Sequence, residues 1–255
     1  MFRKLRILFL LIVLLLVAWG TYLTQLRTTD WDRPLTVAIY PINGDGSTAS
    51  QQYLDSLTLK KFNDIESFFS EEADSYGLSL TNPVDLVMGP VLTEKPPEPP
   101  QDRNILGVMW WSLKMRFWAR TIKSDYGPPC DIQMFVLFHD PKKNPTLVHS
   151  LGLQKGLLGV VHVFASRREE GGNSMVIAHE LLHTVGATDK YEMKTLQPIY
   201  PIGYAEPDKQ PLLPQDFAEI MAGRIPKSKT EAKQPINLDY VVIGEATARE
   251  IQWIE

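Results

Sequence analysis

His179-Glu180-Leu181-Leu182-His183-Thr184-Val185-Gly186-Ala187-Thr188-Asp189 is the stretch around which the whole chain organises. Histidines four apart share one face of a helix, a turn from each other, so both imidazoles reach a single metal ion. Met175, Val176, Ile177, Leu181, Leu182 and Val185 recur at helical spacing, which predicts a helix over 173–185. Gly186 then ends it, because glycine takes a left-handed cap cheaply and bends the chain back. Glu180 is too near His179 in sequence to share the ion comfortably. It is placed instead to take a proton from a zinc-activated water, as a general base.

A catalytic zinc site uses three protein ligands and leaves one position open. The five histidines are His139, His149, His162, His179 and His183, and the single cysteine, Cys130, is also upstream. A third ligand after the helix must therefore be acidic. Asp189, six residues beyond His183, is the first candidate, with Glu192, Glu206, Asp208 and Glu219 behind it. A bare HExxH arises by chance in roughly one chain in two hundred of this length, from average residue usage. Adding the glycine and the aspartate lowers that to roughly one in fifty thousand, so the extended pattern carries the weight.

Working outward, 35–42 (LTVAIYPI) predicts a buried strand, 50–72 a helix, 84–92 a strand and 104–120 a second helix. That helix is rich in aromatics (Trp110, Trp111, Phe117, Trp118), which are expected to pack in the core. Residues 131–138 and 157–164 predict two more strands. The order is strand, helix, strand, helix, strand, strand, helix. It implies an α/β (α+β) fold with a mostly parallel twisted sheet. Residues 190–240 are proline-rich and aperiodic, and 239–253 reads as a short strand and helix. One domain is expected over 35–255: an N-terminal lobe, 35–186, and a small irregular C-terminal lobe, 187–255.

At the N-terminus Arg3, Lys4 and Arg6 precede an uncharged run from Ile7 to Leu26. Its length suits either an uncleaved signal anchor or a cleaved signal peptide over 1–26, followed by a juxtamembrane linker, 27–34. Basic residues ahead of the run put the N-terminus in the cytoplasm and the rest outside it. The expectation is a single-pass membrane protein touching the bilayer through this segment, or a secreted one if the segment is cleaved. The net charge is −4, and the first 27 residues contribute four positive charges and no acid. The remainder is acidic, which argues against nucleic-acid partners. One cysteine excludes an internal disulfide.

HELLHTVGATD is similar to the elongated signature of the metzincin zinc peptidases, HExxHxxGxxH/D, and its aspartate form resembles the snapalysin-like branch. The family's third ligand is more often histidine, so Asp189 is the departure within the signature. The resemblance spans 179–223. It implies a metzincin-like fold, one catalytic Zn2+ and a methionine-containing turn under the metal. Ile220-Met221-Ala222-Gly223 fits that turn, with Met221 as a supporting floor and not a ligand. It also implies that 157–164 is the edge strand over the active-site helix, with Val161, His162 and Val163 lining the cleft. Tyr191 or Tyr204 would then donate to the oxyanion. The expected function is a zinc-dependent endopeptidase, monomeric, acting on a peptide or protein substrate outside the cytoplasm. The alternatives are a catalytically silent membrane-anchored zinc-binding scaffold, and a zinc amidase acting on a cell-wall linkage.

Overall fold

A run as apolar and β-branched as 35–42 has no polar face to offer water, so it takes the middle of a sheet. In the computed structural model, which describes residues 6, 7, 9, 11, 12, 15, 28–100 and 104–255, it forms β1 (Leu35–Asn43), buried almost end to end. A turn with Gly46 at φ +68° leads into α1 (Thr48–Asp55). Ser47 caps this helix by accepting the Ser50 N–H at 3.0 Å.

The single helix expected over 50–72 is in fact two. The Ser56 hydroxyl donates back to the Tyr53 carbonyl, and Thr58 takes an extended conformation. A 3-10 turn, Leu59–Phe62, then leads into α2 (Asn63–Ser75). The break lets Leu54, Phe62, Ile65 and Phe69 all enter one core, which a straight helix of that register could not do. There follow β2 (Val84–Met88), α3 (Ile105–Tyr126), β3 (Ile132–His139), β4 (Leu151–Leu153), β5 (Leu158–Phe164) and α4 (Glu170–Thr184), which carries the histidines. The C-terminal lobe holds β6 (Ala218–Glu219), β7 (Ile225–Pro226), β8 (Ala232–Lys233), β9 (Val241–Val242) and α5 (Glu245–Glu250).

The main sheet runs β2-β1-β3-β5-β4. The first four strands are parallel and β4 is antiparallel to β5, so the fold is α/β with a mostly parallel sheet. Side chains alternate across it. Met134, Val136 and Phe138 pack with Phe69, Leu181 and Leu182 on one side. Phe135 and Leu137 pack with Met115, Ala119 and Ile122 of α3 on the other. Both faces are thus covered, as parallel sheets require.

β5 is not the sheet edge that the sequence suggested. β4 covers Leu158 to Val160. Beyond it, the Ser150 hydroxyl accepts the His162 N–H at 3.0 Å. The Asn173 side chain takes both the N–H and the carbonyl of Phe164. The edge belongs to β4, three residues around a glycine, which is too short to show an alternation.

The aromatic stripe of α3 is also placed differently from expectation. Trp111 and Trp118 are half-buried, and their indole N–H groups donate to Pro97 and Glu94. Trp110 and Phe117 are 71% and 72% exposed, with Leu106 and Leu113 between and beside them. A helix that covers one sheet face can bury only one side, and this one is apolar on both.

The expected single-pass membrane localisation is corrected: among the described residues no helix is long and apolar enough to cross a membrane. The anchor or signal peptide expected over 1–26 falls largely outside the described residues. Within the segment expected as a linker, Trp31 is buried. Its ring meets Trp253 edge-on at 5.7 Å and its N–H donates to Ile251 at 2.7 Å.

Glu72 ties α2 to the C-terminal lobe by accepting the Ile243 N–H at 2.6 Å. Burial, with the charges of Glu71 and Glu219 nearby, pushes its carboxyl up from 4.5 to about 7. The folded state therefore holds this proton more tightly than the unfolded chain. That contribution to stability is complete below pH 4.5 and lost as pH rises through about 7. In urea titrations between about pH 5 and pH 7, wild type should lose stability more steeply than Glu72→Gln. Parallel slopes would exclude this assignment.

Candidate metal centre

The 15-residue α4 brings His179 and His183 to one face, with ring planes at 88° and centroids 4.7 Å apart. Each ring is oriented by a backbone carbonyl. His179 Nδ1–H donates to Ile220 at 2.9 Å, and His183 Nδ1–H donates to Ala187 at 2.8 Å. A carbonyl only accepts, so both Nδ1 atoms carry the hydrogen and both Nε2 atoms present lone pairs in the neutral rings.

Gly186, at φ +112°, turns the chain where the sequence placed the turn. Asp189 then comes back, with Oδ1 3.3 Å from His179 Nε2 and 3.2 Å from His183 Nε2. Three acceptor atoms converging this closely repel one another unless a cation lies between them. A tetrahedral ion with bonds of about 2.0–2.1 Å sets its ligand atoms about 3.3 Å apart, which matches the spacing of Asp189 Oδ1 from each imidazole. The group His179, His183 and Asp189 can hold a metal ion, and the donor set fits one.

The electrostatics agree. Burial would raise Asp189, but the two imidazoles hold it well below the usual carboxylate range. Burial would lower His183, but Asp189, the Ala187 carbonyl and Glu180 lift it above its ordinary value. Both directions describe a cluster that favours a bound positive charge.

Asp189 is held by its neighbours on both sides. Lys190, only 1% exposed, donates from Nζ to the carbonyl and hydroxyl of Thr188 and to Glu250 at 2.6 Å. Glu250 in turn accepts the N–H and hydroxyl of Thr188. The Lys190 N–H donates to the Met221 carbonyl at 2.9 Å. Residues 220–221 therefore touch His179 and the Asp189 loop together. Met221 itself is fully buried.

Glu180 is 6% exposed, and its Oε2 has no hydrogen-bond partner. Burial raises its carboxyl, against the pull of His179, His183 and the Gly152 backbone. An orphaned buried carboxylate oxygen is costly and needs a reason; a proton-accepting role supplies one. Close packing of β4 on α4 keeps it in place. A Cβ at Gly152 would lie 2.4 Å from the Glu180 carbonyl oxygen and 2.5 Å from His183 Cβ. Gly152→Ala should therefore cost about 1–3 kcal/mol in denaturant unfolding, and an unchanged midpoint would show that the two elements separate freely.

The other candidates separate clearly. Tyr191 lies at the site: burial, then the charges of Asp189 and Glu180, raise its phenol. Tyr204 lines a different cavity with Glu72, Tyr76 and Asp208. His162 and Val163 line the cleft beside the metal group, as does His149. Val161 is fully buried in the core. His162 bonds His139 at 3.0 Å, and burial with that neighbour brings it down to about 4, so it is neutral at ordinary pH.

Of the fallback ligands, Glu192 accepts from Thr195 and Glu206 from the Asp216 N–H. Glu219 is completely buried and accepts from Ala222, Gly244 and Thr247. It shapes the expected Met221 turn, a part the sequence did not assign to it, having offered Glu219 only as a fallback ligand. A lone glutamate inside the apolar run Phe217 to Ala222 was the available signal. No such signal marks Lys190 or Glu250, which are 60 residues apart. Neither a protein-family model nor a curated protein matches the chain.

Proposed function

We propose that the protein is a metzincin-like zinc peptidase that hydrolyses peptide bonds, with Glu180 as general base. One observation carries this reading. Three side-chain atoms able to ligate a metal converge within 4.8 Å of one another, and a buried carboxylate with an unpartnered oxygen stands on the residue beside the first of them. Two imidazoles and one carboxylate suit zinc, and three protein ligands leave a position open, as hydrolytic sites do. Bound zinc would supply Lewis acidity, polarising the scissile carbonyl and acidifying a water.

The chain's own residues supply the rest. Glu180 takes the proton from the attacking water and passes it to the leaving amine. Its raised affinity for protons, a consequence of burial, suits a group that must both accept and release one. Tyr191, whose phenol lies beside Asp189, would donate to the oxyanion. The outer edge of β4 offers backbone partners to an extended peptide.

A peptide-library cleavage profile tests this, run on zinc-loaded wild type, on Glu180→Ala and on chelated wild type. Casein and purified peptidoglycan run in parallel separate peptidase from cell-wall amidase activity. Cleavage by wild type alone is expected. Silence of the zinc-loaded wild type, or full activity of Glu180→Ala, would refute the reading.

A further inference from the structure

The cleft beside His179 and Glu180 has a volume of about 530 Å³. Its apolar lining comes from Val163 and Phe164 on β5, Met175 and Val176 on α4, and Ile236, and His149, His162, Asn173 and Gln234 add neutral polar groups. The charged lining is Arg168, Glu169, Glu180 and Arg224. Arg168 and Glu169 are exposed on a 3-10 turn, and Glu180 belongs to the chemistry.

Arg224 differs from all of these. It directly follows Gly223, whose φ of +68° turns the chain after the Met221 segment. It is half-buried. Among the described residues its guanidinium has no carboxylate partner and no hydrogen bond. A half-buried guanidinium with no anionic partner is poorly compensated. A carboxylate arriving in the cleft would match it with two parallel hydrogen bonds, a geometry for which arginine is suited and lysine is not.

We propose that Arg224 is a specificity-determining residue that selects peptide substrates carrying a carboxylate near the bond to be cleaved. The inference rests on the peptidase reading above. The carboxylate comes either from an aspartate or glutamate side chain or from the peptide's own C-terminus, and both present the same chemistry to Arg224.

Binding tests this without requiring turnover. The full chain, zinc-loaded and carrying Glu180→Gln, is titrated against fluorescein-labelled alanine-rich octapeptides followed by anisotropy. The peptides differ at one central residue (Asp, Glu, Asn, Gln or Lys), and each is made with a free and an amidated C-terminus. The carboxylate-bearing member should bind about tenfold tighter or more than its amide counterpart. If the gap follows the central residue, the side chain is read; if it follows amidation, the C-terminus is read. Adding Arg224→Glu should invert the order in favour of lysine, and Arg224→Lys should retain part of the preference. A merely structural Arg224 would weaken all peptides alike. Equal affinities across the set, no binding at all, or a preference that Arg224→Glu leaves unchanged would overturn the proposal. Running the same peptides through a cleavage assay with Glu180 intact keeps the two readings apart. Cleavage without acidic preference sinks the Arg224 proposal and leaves the peptidase standing. Arg224-dependent binding with no cleavage does the reverse.

Discussion

Replacing Glu180 with glutamine is expected to lower kcat/KM for peptide hydrolysis by a factor of about 10²–10⁴, the usual span for a positioned general base. Metal content should stay at that of wild type. The substitution keeps the size and the burial of the side chain, and Glu180 is not one of the three converging ligand atoms. It removes only the basicity. Relieved of a buried carboxylate that burial already disfavours, the variant should also unfold at the same denaturant concentration or a higher one. A variant that loses metal together with activity would mean that Glu180 ligates, and the division of roles would fail.

His183→Ala should abolish metal binding outright and remove the stabilisation that metal gives. A ligand that binds only the folded state adds about 4 kcal/mol when its free concentration is a thousand times its dissociation constant. Zinc should therefore raise the melting temperature of the wild type by several degrees, and the shift should vanish in His183→Ala. The His183 ring also holds the Ala187 carbonyl, so the variant is expected to start from a lower baseline. Chelated wild type isolates the two effects, since it loses the ion and keeps the ring. A full zinc-induced shift in His183→Ala would place the ion elsewhere.

The convergence of His179, His183 and Asp189 was legible from sequence because its determinants are local. Two histidines one turn apart, a glycine able to take positive φ and an acid three residues beyond lie within eleven positions. The acid was found by elimination, which needs no tertiary structure. The parallel order of the sheet was legible for a similar reason: β1, β3 and β5 are long apolar runs that only a doubly covered sheet can bury. β4 was not. Its strand character comes from its partner β5 and from its approach to α4, not from its own residues. The outer face of α3 was misjudged because apolarity reports what a side chain prefers, whereas burial depends on whether another layer arrives. Lys190 with Glu250, and Glu219 with Thr247, join positions far apart in the chain. Their pairing exists only once the C-terminal lobe has docked.

The Lys190–Glu250 clamp also sets an order of assembly. Protein chains fold from the N-terminus as they are synthesised. Both histidines exist once residue 183 has been made, and their helix can pack on the sheet at once. The loop that carries Asp189 gains its last anchor only when Glu250 has emerged to grip Thr188 and Lys190. A growing chain therefore carries the two imidazoles before the loop of Asp189 is fully held. Two imidazoles alone would hold an ion only loosely, so a three-group site would be complete only once α5 (Glu245–Glu250) closes over the loop.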